Sequence, residues 1–176
     1  MLGDVVNIQP GPFLVSDAEM LQSGKHPGKT NLTDADNALN ILRYYQDTPT
    51  VAIMKHNNPC GVAQAENLEA AYLRADRADR IAAFGGCIAL NRPVDRATAE
   101  AILSRYAEVV VAPDYEPGVM GLFATKKNLR VLRIRNMERL KDFVGFSCLD
   151  FKGLIDGGIV VQTSYEPRIR GKEDLM

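Results

Sequence analysis

Apolar positions recur at helical spacing soon after the start of the chain. Ala35, Ala38, Leu39, Leu42 and Tyr45 share one face of a predicted helix, with Thr33 or Asp34 as its N-cap and Thr48-Pro49 as its stop. Residues 50–54 (TVAIM) then form a short apolar run of β-formers between turn residues, which predicts a buried strand. The helical period returns over residues 67–78, where Leu68, Ala71, Tyr72 and Ala75 make the inner stripe. A second buried strand is predicted at residues 87–90, entered through Gly85-Gly86, and Asp95 caps a helix that runs through Ile102 and Leu103. VVVA at residues 109–112 reads as a third strand, stopped by Pro113. A short helix around residues 118–125 and a strand at 129–134 follow. Short apolar strands alternating with helices predict an α/β fold with helices on both faces of a mixed sheet, mostly parallel in its first part.

The ends differ from this middle. Residues 1–28 are turn-rich, broken by Pro10, Gly11, Pro12, Gly24, Pro27 and Gly28. Residues 151–162 (FKGLIDGGIVVQ) read as strand, glycine turn and strand, an antiparallel edge or an extension. Residues 165–176 are polar and charged and read as a linker or frayed end. The expected organisation is therefore a turn-rich segment at 1–28, one domain over 29–164 and a tail at 165–176.

Composition narrows the function classes. With 176 residues, 46% of them hydrophobic, the chain is long enough for one soluble globular domain without disulfides. Cys60, Cys87 and Cys148 form neither a disulfide framework nor a zinc ribbon, and they read as small buried hydrophobes in a reducing, cytoplasmic setting. A net charge of −1 with no basic stripe argues against a nucleic-acid partner. Asp4 stands where a signal peptide would be basic, and no apolar stretch approaches a membrane span.

The segment richest in chemistry is Lys55-His56-Asn57-Asn58-Pro59-Cys60-Gly61, directly after the TVAIM strand. In open α/β sheets ligands bind beyond the carboxyl ends of strands, where this loop is expected. A neutral imidazole can take a proton from a weakly nucleophilic amine, and an ammonium can steady charge developing on an attacked carbonyl oxygen. Adjacent residues of a continuing strand point to opposite faces, so Lys55 and His56 converge only if the strand ends here, as Pro59 to Gly61 imply. A plain turn with a surface lysine and a hydrogen-bonded histidine accounts for these residues equally well. Arg74, Arg77 and Arg80 recur every three residues as a phosphate clamp would, yet Asp76 and Asp79 interleave them, which favours a salt-bridged helix face. Arg130, Arg133 and Arg135 read as surface charge around a strand, and Tyr44-Tyr45 as one core ring and one surface ring.

The run KHNNPCGVA resembles the Lys-His-x-x-Pro-x-Gly signature of the transformylase part of the bifunctional AICAR transformylase/IMP cyclohydrolase family. Four further blocks, in the family's order, are similar: Asn31-Leu32-Thr33-Asp34-Ala35-Asp36 before the first helix, Arg74-Ala75-Asp76 with Ala83-Phe84-Gly85-Gly86, Glu108 before Val109 to Pro113, and Asp150-Phe151-Lys152 with Gly157-Gly158 and Val161-Gln162. Together they cover about residues 29 to 162.

The resemblance implies a cytidine-deaminase-like, three-layer α/β/α subdomain, the first of two in tandem. It implies Lys55 and His56 as the catalytic pair, with His56 assisting proton removal from the 5-amino group of AICAR, and Asn31, Gly85 and Glu108 as nucleotide contacts. The formyl donor would be 10-formyltetrahydrofolate, no metal would be needed, and a homodimer or a complex with a chain carrying the second subdomain is expected. The chain departs from the family's pattern in three ways. Residues 1–20 lack the Leu-Arg-Tyr-Gly segment whose arginine contacts the nucleotide, and neither the cyclohydrolase domain nor the second subdomain has a counterpart. Those departures keep a second reading open, a non-catalytic nucleotide-binding or assembly module. Zinc deaminases share the implied fold, but Ala63 stands where their second cysteine would be and no His-x-Glu occurs, so zinc lacks its three ligands.

Overall fold

A computed structural model describes residues 13–164. The expectations about residues 1–12 and the tail at 165–176 lie outside the described residues. Tertiary contacts divide the chain into two units, Met1–Lys141 and Asp142–Met176.

The first unit is a six-stranded sheet between two layers of helices. After a 3₁₀ turn at Leu14–Asp17 come β1 (Glu19–Gln22), α1 (Lys29–Leu42), β2 (Thr50–Lys55), β3 (Asn58–Gln64), α2 (Leu68–Ala78), β4 (Cys87–Leu90), α3 (Arg96–Leu103), β5 (Val109–Ala112), α4 (Val119–Phe123), β6 (Arg130–Arg133) and most of a second 3₁₀ stretch, Met137–Phe143, whose last two residues belong to the second unit. The strands lie in the order β1-β6-β5-β4-β2-β3. Alternation along each strand explains the layers. Val51, Ile53, Ile88, Leu90, Val110 and Val131 face a core closed by Leu68, Tyr72, Ile102 and Phe123. Ala52, Met54, Cys87, Ala89, Val109, Val111 and Leu132 face the other, closed by Ala35, Leu39, Leu42, Met137 and Leu140. The α/β/α architecture expected from the alternating pattern is present.

The sheet is mixed, but its parallel pairings are confined to β4-β5-β6. The first part, β3-β2-β4, is antiparallel, as is the pairing of β1 with β6, so the expectation of a parallel first part is corrected. The reason is a strand that the periodicity hides. Asn58–Gln64 contains Pro59 and Gly61, which read as turn residues, yet the chain reverses earlier and β3 returns along β2 as an edge strand, where proline is tolerated. Gly61 is required there: a Cβ would be driven into the Ala75 carbonyl of α2.

Other expectations shift at element ends. α1 begins at Lys29, not after Thr33 or Asp34, because the Asn31 Oδ1 in its first turn accepts the Gly28 N–H at 3.1 Å. It closes at Leu42, so Tyr44 and Tyr45 are both exposed instead of one entering the core. Asn67 and Asp95 cap α2 and α3, accepting from Ala70 N and Thr98 N at 2.8 and 2.7 Å. Within the segment expected to be turn-rich, the short strand β1 joins the sheet. Of the cysteines only Cys87 is buried; Cys60 is half-buried and Cys148 exposed. The arginine helix face is salt-bridged as read: Arg74 pairs with Glu66, and the buried Asp76 takes Arg80 and Arg105.

In the second unit, β7 (Leu149–Gly153) and β8 (Ile159–Thr163) form an antiparallel hairpin, a two-stranded sheet among the described residues. Gly157, at φ 87°, makes its turn.

Candidate functional site

Lys55 closes β2 and pairs with Asn58 at the start of β3, leaving His56 and Asn57 as a two-residue loop. Their φ angles, 53° and 65°, are both left-handed, the backbone of a tight hairpin turn that normally selects Asn-Gly. Support for this unfavoured conformation comes from α1. The Asp34 carboxylate, 5% exposed, accepts the Asn57 N–H at 2.6 Å and the His56 N–H at 3.3 Å. Asn37 Nδ2 adds a bond to Asn57 Oδ1 at 3.1 Å. The backbone of His56 is thereby fixed while its imidazole is exposed and makes no hydrogen bond among the described residues.

Lys55 reaches sideways across the sheet end. Its Nζ donates to the Phe84 carbonyl at 2.7 Å, at the turn that enters β4. Gly85 follows at φ 74°, where a side chain would be strained, and its N–H bonds the Tyr106 carbonyl at 2.9 Å. Two residues on, Glu108 donates its N–H to the Gly86 carbonyl at 3.1 Å. Its Oε2 accepts Asn31 Nδ2 at 3.2 Å and lies 3.5 Å from the Arg130 guanidinium. Arg130, 7% exposed, also donates Nε to the Lys25 carbonyl at 2.9 Å, tying the segment before α1 to the same cluster.

The fold thus brings Asn31 and Glu108 into direct contact, sets Gly85 beside Glu108 through the backbone, and links Lys55 to that turn. His56 sits at the hairpin tip. Neither Asp34, read from the sequence as an N-cap, nor Arg130 was expected at the site, and the reading of Arg130 as surface charge is corrected, since it is buried beside Glu108. A signal existed for Asp34, which lies four residues before Ala38 on the apolar face of α1; none distinguished Arg130 from Arg133 and Arg135, whose guanidiniums bind Glu19 at the sheet edge. The expected location is also corrected. Because β2 runs antiparallel to β4, its carboxyl end lies with the amino ends of β4, β5 and β6, so the cluster sits at the amino side of the parallel strands.

The cysteine beside the hairpin is not poised for nucleophilic work. Burial pushes the Cys60 thiol up; Asp79 adds to this, Lys55 opposes it, and Asp34 adds again, which keeps the sulfur protonated. Among the described residues no group of three or more His, Cys, Asp or Glu side chains is arranged to hold a metal ion.

Against this geometry stands the comparison with known proteins. The family model described as AICARFT/IMPCHase bienzyme matches residues 7–174. The chain belongs to that family. It is 38% identical over 155 residues to the "Bifunctional purine biosynthesis protein PurH" of Caldicellulosiruptor saccharolyticus, covering 86% of this chain and 29% of that protein. The protein of the same name from Aquifex aeolicus is 37% identical over 166 residues, covering 92% of this chain and 33% of its own length. That from Ligilactobacillus salivarius reaches 43% over 133 residues, 76% of this chain and 26% of the relative. The chain therefore spans a third or less of the length of the curated relatives it matches.

Proposed function

We propose that this AICARFT/IMPCHase chain contributes one half of a formyl-transfer site in purine biosynthesis, moving the formyl group of 10-formyltetrahydrofolate to the 5-amino group of AICAR. The observation that carries the reading is the Asn31–Glu108 contact joined through Gly85 and the Phe84 carbonyl to Lys55, with His56 next to it on a braced turn. In this reading Asn31, Gly85 and Glu108 hold the nucleotide. The amine attacks the formyl carbon, His56 takes the amine proton, and the Lys55 ammonium steadies the oxygen as it gains charge. The carbon–nitrogen bond to the folate then breaks, and the folate nitrogen leaves with a proton. Each role matches the chemistry of its group: a free imidazole for the proton, a cation for the oxyanion, an amide and carboxylate for a polar heterocycle. No metal takes part.

The rest of the site would come from a second copy or from a chain carrying the second subdomain. The exposure of the apolar residues Phe151, Ile159 and Val161 supports this. A cytoplasmic setting belongs to the same proposal; among the described residues no helix is long and apolar enough to cross a membrane. The same exposed apolar residues fit a second reading, a nucleotide-binding or assembly module without turnover.

The test is a calorimetric titration with AICAR, coupled to a formyl-transfer assay on the chain with and without a second-subdomain partner. Asn31→Ala is expected to weaken AICAR binding, and His56→Ala to abolish formyl transfer while leaving the thermal melt unchanged. Formyl transfer that persists in His56→Ala would remove His56 as the base. AICAR binding without transfer in any assembly would favour the module.

A further inference from the structure

The Tyr106 and Phe84 rings lie 5.2 Å apart between centroids, tilted by 40°, and a Cβ on Gly85 would meet the Tyr106 ring at 3.3 Å. The same two rings line a cavity of about 580 Å³ together with Ile102, Leu129, Lys126 and Lys127. Among the described residues no acidic side chain lines it. Its third basic residue, Arg105, is engaged with Asp76 and the Arg80 carbonyl, whereas Lys126 and Lys127 are exposed and make no ion pair among the described residues.

The loop carrying the two lysines is held in place from elsewhere in the fold. Gln22 Nε2, from β1, donates to the carbonyls of Phe123, Lys126 and Leu129 at 3.3, 3.0 and 2.9 Å. The backbone of Asn128 lies so close to Gly24 that a Cβ there would approach it at 2.8 Å. A cavity of this size with aromatic and aliphatic walls accepts a planar ring, and two free ammonium groups on a fixed loop accept an anion. The absence of any carboxylate from the lining disfavours cations.

We propose that this cavity binds a ligand that joins a planar ring to a carboxylate or phosphate group. The ligand class rests on the cavity; its two candidate sources rest on the formyl-transfer reading, in which the benzoylglutamate end of the folate and the phosphate-bearing end of the nucleotide both have this chemistry. Either would extend from the Gly85 turn past the ring pair toward the lysines.

The experiment is calorimetric titration of the full chain with p-aminobenzoylglutamate and, separately, with AICAR, repeated on the Lys126→Ala/Lys127→Ala variant. Both lysines are exposed, so the variant is expected to melt with the wild type. Loss of about tenfold in affinity, the size of a charge-assisted bond, is expected for the probe that occupies the cavity, together with weakening at high salt. Loss for p-aminobenzoylglutamate identifies the folate end, and loss for AICAR alone identifies the phosphate. If neither probe binds, or if the double variant binds both as the wild type does, the proposal is overturned. AICAR binding that is unchanged in the Lys126→Ala/Lys127→Ala variant but weakened in Asn31→Ala, with p-aminobenzoylglutamate likewise unaffected, overturns the cavity proposal and leaves the formyl-transfer reading standing, so the two failures are read separately.

Discussion

Two short runs of this chain are nearly the same in composition and opposite in fate. Val109–Ala112 (VVVA) is wholly buried, each residue at 0% exposure, between neighbours on both sides and helices on both faces. Ile159, Val160 and Val161 in β8 are 67%, 46% and 50% exposed. The register of the hairpin sharpens the contrast. Phe151 pairs with Val161 and Gly153 with Ile159, while Asp150 pairs with Gln162, so one face of the ribbon is apolar and the other polar. A β-branched run therefore specifies extended backbone, but the cover over it depends on which elements the rest of the fold delivers. A two-stranded hairpin has little stability of its own in water. The sheet unit, by contrast, owes its stability to closure of both faces.

The contrast breaks most visibly under truncation in the sheet unit. Phe123 is fully buried, edge-on to Tyr115 at 6.0 Å between centroids. Phe123→Ala is expected to cost about 3–5 kcal/mol, through lost transfer energy and the cavity left behind, read as a shift of the urea midpoint at unchanged slope. A cost under about 1 kcal/mol would mean that this face of the sheet collapses freely and is not the packed core described above.

A smaller effect is expected where the sheet unit meets the candidate site. Asp34→Ala removes the acceptor of two backbone N–H groups and the support of two left-handed residues. Hydrogen bonds to a charged group are worth about 1.5–3 kcal/mol, and a stability loss of that order is expected. Asp34→Asn should recover part of it, since the amide keeps one acceptor oxygen. If the turn exists to present His56, Asp34→Ala also lowers formyl transfer more than it lowers AICAR binding. A stability loss with transfer and binding falling together would assign Asp34 to the fold alone.

The same contrast explains what could be read from the sequence. Val51 and Ile53 against Ala52 and Met54, the Asn67 and Asp95 caps, and the VVVA strand were legible because each depends on neighbours within a few residues. β3 was not, because its turn of two non-glycine residues is braced by Asp34, and the bond from His56 spans 22 positions. β1 was hidden for a related reason: EMLQ has no apolar run, and its place at the edge is set by pairing with β6. At the site, Lys55, His56 and Asn31 carried a motif. The Asn31–Glu108 bond, 77 positions apart, and the burial of Arg130 beside it follow only from the sheet order.

The smallest effect is expected in the hairpin. Phe151 is as large and apolar as Phe123, but it is 62% exposed. Substitution of an exposed side chain away from any cap or network usually changes stability by less than about 0.5 kcal/mol, so Phe151→Ser is expected to leave the urea midpoint of the unassembled chain where it was. A loss approaching that of Phe123→Ala would show that the ring is covered in solution. The apolar face of Phe151, Ile159 and Val161 would then be half of a core whose other half this chain does not supply in the described residues. Repeating the measurement over a range of protein concentrations separates the two cases. A loss that appears only at high concentration belongs to an assembled state, since the stability of an obligate assembly depends on protomer concentration. A midpoint unaffected by both substitution and concentration leaves the hairpin as an open ribbon, extended by its own register and covered by nothing.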